Sequence, residues 1–264
     1  MKHPLNKIAI EGTISEIKQK LAALESFDDL LFEKLMADPR KGVHQAAQQW
    51  EKRYKKIEEL KKVYKQKNKW ENYYHQQGIN YIAGIDEVGR GPLAGPVVTA
   101  AVILNPHQPI YGLKDSKQLS LKSRERLFEE IKAKALSYYI VLKSAAEIDE
   151  LNIYEATRQA MKLAAESLEL PAELLLIDAM QIDSSIPQKK LIKGDDQSNS
   201  IAAASILAKV TRDRMMVEYS KKYANYGFEA NKGYGTAAHL AGLESYGPSP
   251  IHRKTFQPVR KFYE

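Results

Sequence analysis

The chain of 264 residues contains no cysteine, so disulfides and thiolate metal sites are excluded at once. Its six histidines are scattered, with no His-x-x-x-His pair to suggest an imidazole metal site. No run approaches the roughly 20 uninterrupted apolar residues of a membrane helix. The start, MKHPLNKIAIEG, lacks an apolar core of signal-peptide length. A cytoplasmic protein without membrane attachment is expected. Net negative charge is also lacking: the formal balance is +7, which favours a polyanionic partner and says nothing about fold. The surplus is local. KRYKKIEELKKVYKQKNK, Lys52 to Lys69, holds nine basic residues against two acids, enough to account for the whole excess. The remaining acids are therefore free for specific work.

Residues 1–77 are nearly without glycine and show no strand-like alternation. Thr13-Ile-Ser-Glu16 is a capping-box pattern ahead of IKQKLAAL. A second helix over DDLLFEKLMA stops near Asp38-Pro39. A third, long and basic, is expected from about Val43 to His75, with Gly78 as its stop. This segment reads as a helical, basic extension. Its basic face either grips duplex phosphates or is a solvated face packed by Ile57, Leu60 and Tyr64.

From residue 78 the texture changes, and 78–264 read as a second domain. YIAGIDEVG and VVTAAVIL read as strands, SLKSRERLFEEIKAKAL as an amphipathic helix, and SYYIVLKS as a strand. Asn152 caps another helix through Leu168, ELLLID is a compact apolar strand, SNSIAAASILAKVTRDRMMVEYSKKY is a long helix, and Thr236 caps a last one. Strands first, then strand–helix alternation, indicate an α/β domain with a mixed sheet flanked by helices.

Acids stand where strands end. Asp86 and Glu87 follow an apolar run, and Asp178 closes ELLLI. A carboxylate after such a run sits partly buried, where an unpaired negative charge is costly, and ligand sites of open sheets gather beyond strand ends. Asp195 lies in KGDDQSNS ahead of the long helix, where its neighbour Asp196 is expected to cap. An all-oxygen set with no Cys or His nearby suits Mg²⁺ or Mn²⁺, and a pair of such ions serves phosphodiester hydrolysis. One difficulty is geometric. Adjacent strand residues point to opposite faces, so Asp86 and Glu87 share a metal only if the strand is irregular there or Glu87 reaches round its edge. Taken singly, each acid is equally a cap, a turn residue or half of a salt bridge.

GIDEVGRGPLAGPVVTAAVIL, DSKQLS, LLLIDAM, KGDDQSNSIAAASILAKVTRDR, NKGYGTAAH and SPIHRKTFQPV, spanning about Tyr81 to Pro258 in this order, together resemble bacterial ribonuclease HII. The resemblance implies a ribonuclease H-like fold and endonucleolytic cleavage of RNA in RNA–DNA hybrids. It further implies incision 5′ to a single ribonucleotide embedded in duplex DNA, leaving 3′-hydroxyl and 5′-phosphate ends, with roles in ribonucleotide repair and RNA primer removal. By the same resemblance, the metal-site acids fall on Asp86, Glu87, Asp178 and Asp195, the last chosen over Asp196 because it directly follows Gly194. They would hold two divalent ions, Mg²⁺ or Mn²⁺. Gly89, Arg90 and Gly91 would read the 2′-hydroxyl through the backbone, and Tyr234 would pack against the sugar on the DNA side of the junction. Ser116, Lys117, Lys209 and Arg212 are expected phosphate contacts, with a solvated salt bridge as the alternative for each basic residue. Asp115 supports the site as a cap or turn residue. Leu119 and Leu121 in QLSLK belong to helix packing rather than to a sliding-clamp peptide. A monomer is expected. The first 75 or so residues lie outside the shared core. The sister family, ribonuclease HIII, carries a β-rich, TATA-binding-protein-like domain there and usually a lysine in place of Arg90. Two other readings stand beside this one: a non-catalytic nucleic-acid-binding protein, and a ribonuclease HIII-like activity needing several ribonucleotides in a row.

Overall fold

A computed structural model describes residues 11–24 and 26–264. The opening MKHPLNKIAI, and with it the reading that it contains no leader, lies outside the described residues. The chain forms two compact units, one ending at Val63 and one spanning Tyr64–Glu264. Composition changes near residue 78, whereas packing changes at 63/64. Residues 64–75 keep the helical texture of what precedes them, yet Tyr64, Trp70 and Tyr74 pack onto apolar clusters of the second unit.

In the first unit, α1 (Ile14–Ala23) begins with the capping box of Thr13 and Glu16, followed by α2 (Asp29–Ala37) and by α3 (Lys41–Lys67), whose last residues from Tyr64 onward belong to the second unit. Ile17, Leu21, Leu35, Val43, Ala47 and Trp50 form its core, with Phe27 4.6 Å from the Trp50 ring. The single long helix expected to His75 is in fact two. Asn68, at φ −80° and ψ 15°, separates α3 from α4 (Lys69–His75). Its side chain is engaged by Asn72 and by Asn199, and such bonds compete with helical geometry.

The second unit is built on a five-stranded sheet in the order β3-β2-β1-β4-β5. β1 (Ile82–Val88), β2 (Val97–Ile103) and β3 (Ser137–Lys143) run antiparallel, while β4 (Leu174–Asp178) and β5 (Gln188–Leu191) are parallel additions beyond β1. β5 was not anticipated; it is a short edge strand carrying Lys189 and Lys190, a composition that disguises it as loop. Helix α5 (Leu121–Lys134) follows β2, α6 (Ala145–Leu151) and α7 (Ile153–Glu166) follow β3, and α8 (Asn199–Lys222) follows β5. The short α9 (Phe228–Asn231) and α10 (Ala237–Tyr246) complete the unit.

Alternation along the strands feeds two cores. Ala83, Ile85, Ala101, Ile103, Leu175 and Ile177 meet Ala160, Met161 and Ala164 of α7. On the other face, Val98, Ala100 and Val102 meet α8 and the α5 residues Leu127, Phe128 and Ile131. α8 lies very close to β1, because a Cβ on Gly84 would stand 2.1 Å from the Ser200 carbonyl carbon. α8 starts from Ser198, whose hydroxyl accepts from Ile201 N–H at 3.2 Å. The expected cap, Asp196, instead belongs to a single turn over Gly194–Asp196, two residues too early to reach the first free amides of the helix.

Among the described residues no helix is long and apolar enough to cross a membrane.

Candidate active site

The parallel register pairs Ile85 with Ile177, so the next residues, Asp86 and Asp178, stand side by side at the ends of β1 and β4. Both occupy the α8 face, as Ile82, Leu174 and Leu176 do on the same alternation. Asp178 Oδ1 accepts from Gly194 N–H at 2.6 Å, which draws the Gly194–Asp196 turn over the strand end and brings Asp195 with it. Asp195 is half-buried whereas Asp196 is exposed, and that separates the two adjacent acids.

Asp86 is 6% exposed. Its Oδ1 accepts from Glu87 N–H at 2.7 Å, and the Ser205 hydroxyl donates to its carboxylate. Ser205 has one proton to give, so with Asp86 ionised Ser116 Oγ, 3.1 Å away, donates to Ser205 in turn. Ser116, expected to touch phosphate, is 1% exposed, and its hydroxyl lies against Ser205.

β1 stays regular through Val88, with Asp86 opposite Ala100 and Glu87 opposite Thr99. Glu87 therefore leaves on the other face, where Arg90 Nη1 meets its Oε1 at 3.4 Å.

These carboxylates resist ionisation. Burial pushes Asp86 well above the usual carboxylate range, with Glu87 and Asp178 adding repulsion. Burial lifts Glu87 to about 7 against the pull of Arg90. Asp178 is raised by burial, opposed by the Gly194 amide and the Lys117 charge. Asp195 is raised by burial and by Asp115, Asp178 and Asp196, opposed by Lys67. Among the described residues no three acids or histidines are drawn to metal-ligand spacing. The donor set nevertheless fits a hard divalent cation: all ligand atoms are oxygen, and the negative charge is buried, mutually repelling and incompletely neutralised. Asp86 and Asp178, with Asp195 and Glu87 at the margin, are the residues that would hold it.

The turn after β1 is wrapped around two buried arginines. Arg212, 0% exposed, donates to the carbonyls of Pro96, Lys232 and Ala94 at 2.9, 2.9 and 3.1 Å. Arg212, expected to contact phosphate, has each of its guanidinium nitrogens bonded to main chain inside the protein. Arg253, also 0% exposed, donates to Gly89 at 2.5 Å, to Arg90 at 2.8 Å and to Gly95. Burial lowers the first to about 10 and the second to about 9. Gly89 has φ +98°, and a Cβ there would meet Arg212 Nε at 2.2 Å, so no other residue fits. Gly91 presents exposed main chain, and the half-exposed Tyr234 ring lies 3.8 Å from where its Cβ would be.

The expected constellation thus separates into two groups. Asp86, Glu87, Asp178 and Asp195 act on one another electrostatically, with Lys117 acting on Asp178, while Arg90 pairs with Glu87 and Gly91 stands against Tyr234. Ser116, Gly89 and Arg212 stand behind them as supports. Lys209 is ion-paired to Asp213 at 2.7 Å, with both side chains largely buried rather than solvated. Sequence reasoning assigned no role to Ser205, Lys67, His239, His252 or Arg253. For the last two the SPIHRKTF motif was visible without a contact to explain it.

A family model described as ribonuclease HII matches residues 83–259, and one described as ribonuclease HII N-terminal domain matches residues 13–75. The helical segment placed outside the shared core is thus itself similar to a domain found with this family. A ribonuclease HII of Ligilactobacillus salivarius is 53% identical over 249 residues, covering 94% of this chain and 97% of that protein. Among solved structures, ribonuclease H2 of Pyrococcus horikoshii superposes with a TM-score of 0.59 at 29% identity, covering 69% of this chain and 96% of that one. The ribonuclease HII of a PCNA complex from Archaeoglobus fulgidus gives 0.57 at 26% identity, covering 67% and 95%.

Proposed function

The chain belongs to the ribonuclease HII family and is a ribonuclease H endonuclease, and from that premise we propose that it incises duplex DNA 5′ to a single embedded ribonucleotide as well as cutting the RNA strand of hybrids. The products carry 3′-hydroxyl and 5′-phosphate ends, and the activity serves ribonucleotide repair and RNA primer removal. Two features on one short stretch of chain support this reading: Asp86 beside Asp178 at the sheet end, and, five residues beyond Asp86, exposed main chain at Gly91 with the Tyr234 ring against it. A phosphodiester and the sugar beside it need those two surfaces together.

Asp86, Glu87, Asp178 and Asp195 hold Mg²⁺ or Mn²⁺ in this proposal. Metal held there would supply Lewis-acid activation of a water and charge neutralisation at the leaving oxygen. The remaining roles belong to the chain itself. Ser205, oriented by Ser116, fixes the Asp86 carboxylate. The Gly194 amide fixes Asp178. Gly91 presents its main-chain N–H and C=O to the 2′-hydroxyl, the group that separates RNA from DNA. Tyr234 offers a ring to the adjoining deoxyribose, and Lys117 lies within electrostatic reach of Asp178, suited to an approaching phosphate.

The test is cleavage of an RNA–DNA hybrid by wild type, Asp86→Asn and Asp178→Asn, each with Mg²⁺ or Mn²⁺. Activity in wild type and its loss by about a thousandfold or more in both variants is expected for groups acting on the transition state. Undiminished cutting by either variant would remove that acid from the site.

A further inference from the structure

One dipeptide, His252-Arg253, reaches both walls of the gap between Tyr234 and the Gly89–Gly91 turn. Arg253 N–H donates to Leu93 at 2.9 Å, and its guanidinium holds the carbonyls of Gly89 and Arg90. His252 works toward the other wall. The Ser249 main-chain N–H can only donate, and it meets His252 Nδ1 at 2.9 Å, with the Ser249 hydroxyl 2.8 Å from the same nitrogen. Nδ1 is therefore bare, and the proton of that ring sits on Nε2. His252 Nε2 lies 2.9 Å from His239 Nε2, which must accept. His239 then carries its proton on Nδ1, 2.9 Å from the Tyr234 carbonyl oxygen, an atom that can only accept. Reading from either end gives the same tautomers, and no ring nitrogen is left over.

The pair is sealed. His239 and His252 are 0% and 1% exposed. Tyr226 stands edge-on to His252 at 4.9 Å, and Phe228 edge-on to His239 at 5.2 Å. With no route for water, a lost partner leaves a buried polar group unsatisfied. The Tyr234 carbonyl also accepts from Thr236 N–H at 2.8 Å, so the residue carrying the exposed ring is held through its main chain from two sides.

We propose that His252 and His239 are positioning residues that set the distance of Tyr234 from Gly91, and so decide how a ribose–deoxyribose junction fits between them. The proposal rests on the sugar-binding role given above to Tyr234 and the Gly89–Gly91 turn. Arg253 fixes the facing wall from the next residue in the chain, which makes the gap a property of one short segment rather than of two mobile loops.

Two measurements on the full chain test it. Imidazole ¹⁵N shifts, assigned with His239→Asn and His252→Phe, are expected to show one ring protonated only at Nδ1 and the other only at Nε2. Two rings protonated at Nε2, or either ring doubly protonated at neutral pH, overturns the relay. Steady-state cleavage forms the second arm, comparing a duplex with one ribonucleotide against a hybrid with an all-RNA strand. His252→Phe is expected to raise KM for the former by about tenfold or more, as loss of a buried hydrogen bond implies, with a smaller change in kcat. His239→Asn, whose Nδ2 can still donate to the Tyr234 carbonyl, is expected to keep KM near the wild-type value. In a Tyr234→Ala background His252→Phe adds nothing further. The same factor in both backgrounds, or on both substrates, overturns the positioning role. A wild type that treats the two substrates alike overturns the sugar-reading assignment and the proposal with it, while the tautomers remain as assigned.

Discussion

Lys67 Nζ donates to the main-chain oxygen of Asp195 at 2.5 Å and to that of Leu113 at 3.1 Å. One turn further on, Glu71 Oε1 accepts from the Ser198 hydroxyl at 2.6 Å and from Ser200 N–H at 3.0 Å, capping α8 from outside. The turn carrying Asp195 and the start of the helix behind it are thus held by two side chains of one short segment. Lys67→Met, which keeps the buried stem, is expected to cost about 1–3 kcal/mol in stability by stranding two carbonyls. It should also lower kcat more than it raises KM, because Asp195 loses its fixed position. Urea unfolding and steady-state kinetics check both; unchanged kcat would detach Lys67 from the site.

Arg212 and Lys117 should behave oppositely. Arg212→Leu leaves the carbonyls of Pro96, Lys232 and Ala94 without their donor, and a stability loss above about 3 kcal/mol is expected from three stranded buried groups. Where the variant remains folded, the salt dependence of substrate binding should not change. Lys117→Ala is expected to leave stability nearly unaltered and to reduce the slope of log affinity against log salt by about one. Binding measured at several salt concentrations separates the two.

Much of this was legible in the residues, for identifiable reasons. β1, β2 and β4 are buried on both faces and read as apolar runs. Asp86 and Asp178 were visible because a charge at the end of such a run is conspicuous. Arg212 was read as a phosphate contact because a basic residue on a helix invites a surface role. Yet α8 is buried on nearly every side from Asn199 to Val210, so a position one turn further on is also inside. Ser116 and Ser205 carry no sequence signal, being two hydroxyls that meet only in three dimensions. The histidine pair was invisible for the same reason, its members lying thirteen positions apart.

Divalent cations are expected to stabilise the protein without substrate. Burial and mutual repulsion hold Asp86, Asp178 and Asp195 above their usual range, and a ligand binding only the folded state raises its melting temperature. Mg²⁺ or Mn²⁺ should raise Tm for wild type and not for the Asp86→Asn, Asp178→Asn double variant. Scanning calorimetry with and without a chelator provides the check; equal shifts in both proteins would place the ions elsewhere.

Acid should loosen the segment around His252. Burial, with His239 adding to it, pushes His252 down from 6.5 to about 4. Above pH 6.5 the ring is neutral in folded and unfolded chains alike and contributes nothing. As pH falls from there toward 4, the unfolded chain binds a proton that the folded one refuses. Stability is lost across that window, by at most about 3 kcal/mol. Urea midpoints from pH 7 to 4.5 should fall more steeply for wild type than for His252→Phe; parallel curves would contradict the assignment of that loss to His252.

The most direct measurement is end-mapping on a DNA duplex carrying one ribonucleotide, with wild type and Asp86→Asn compared in Mg²⁺ and Mn²⁺. A single cut on the 5′ side of the ribonucleotide, with 3′-hydroxyl and 5′-phosphate termini from wild type alone, is the expected result. Cutting at any other position, or a duplex left whole while an all-RNA strand is cleaved, would contradict the joint use of the Asp86–Asp178 pair and the Gly91–Tyr234 gap.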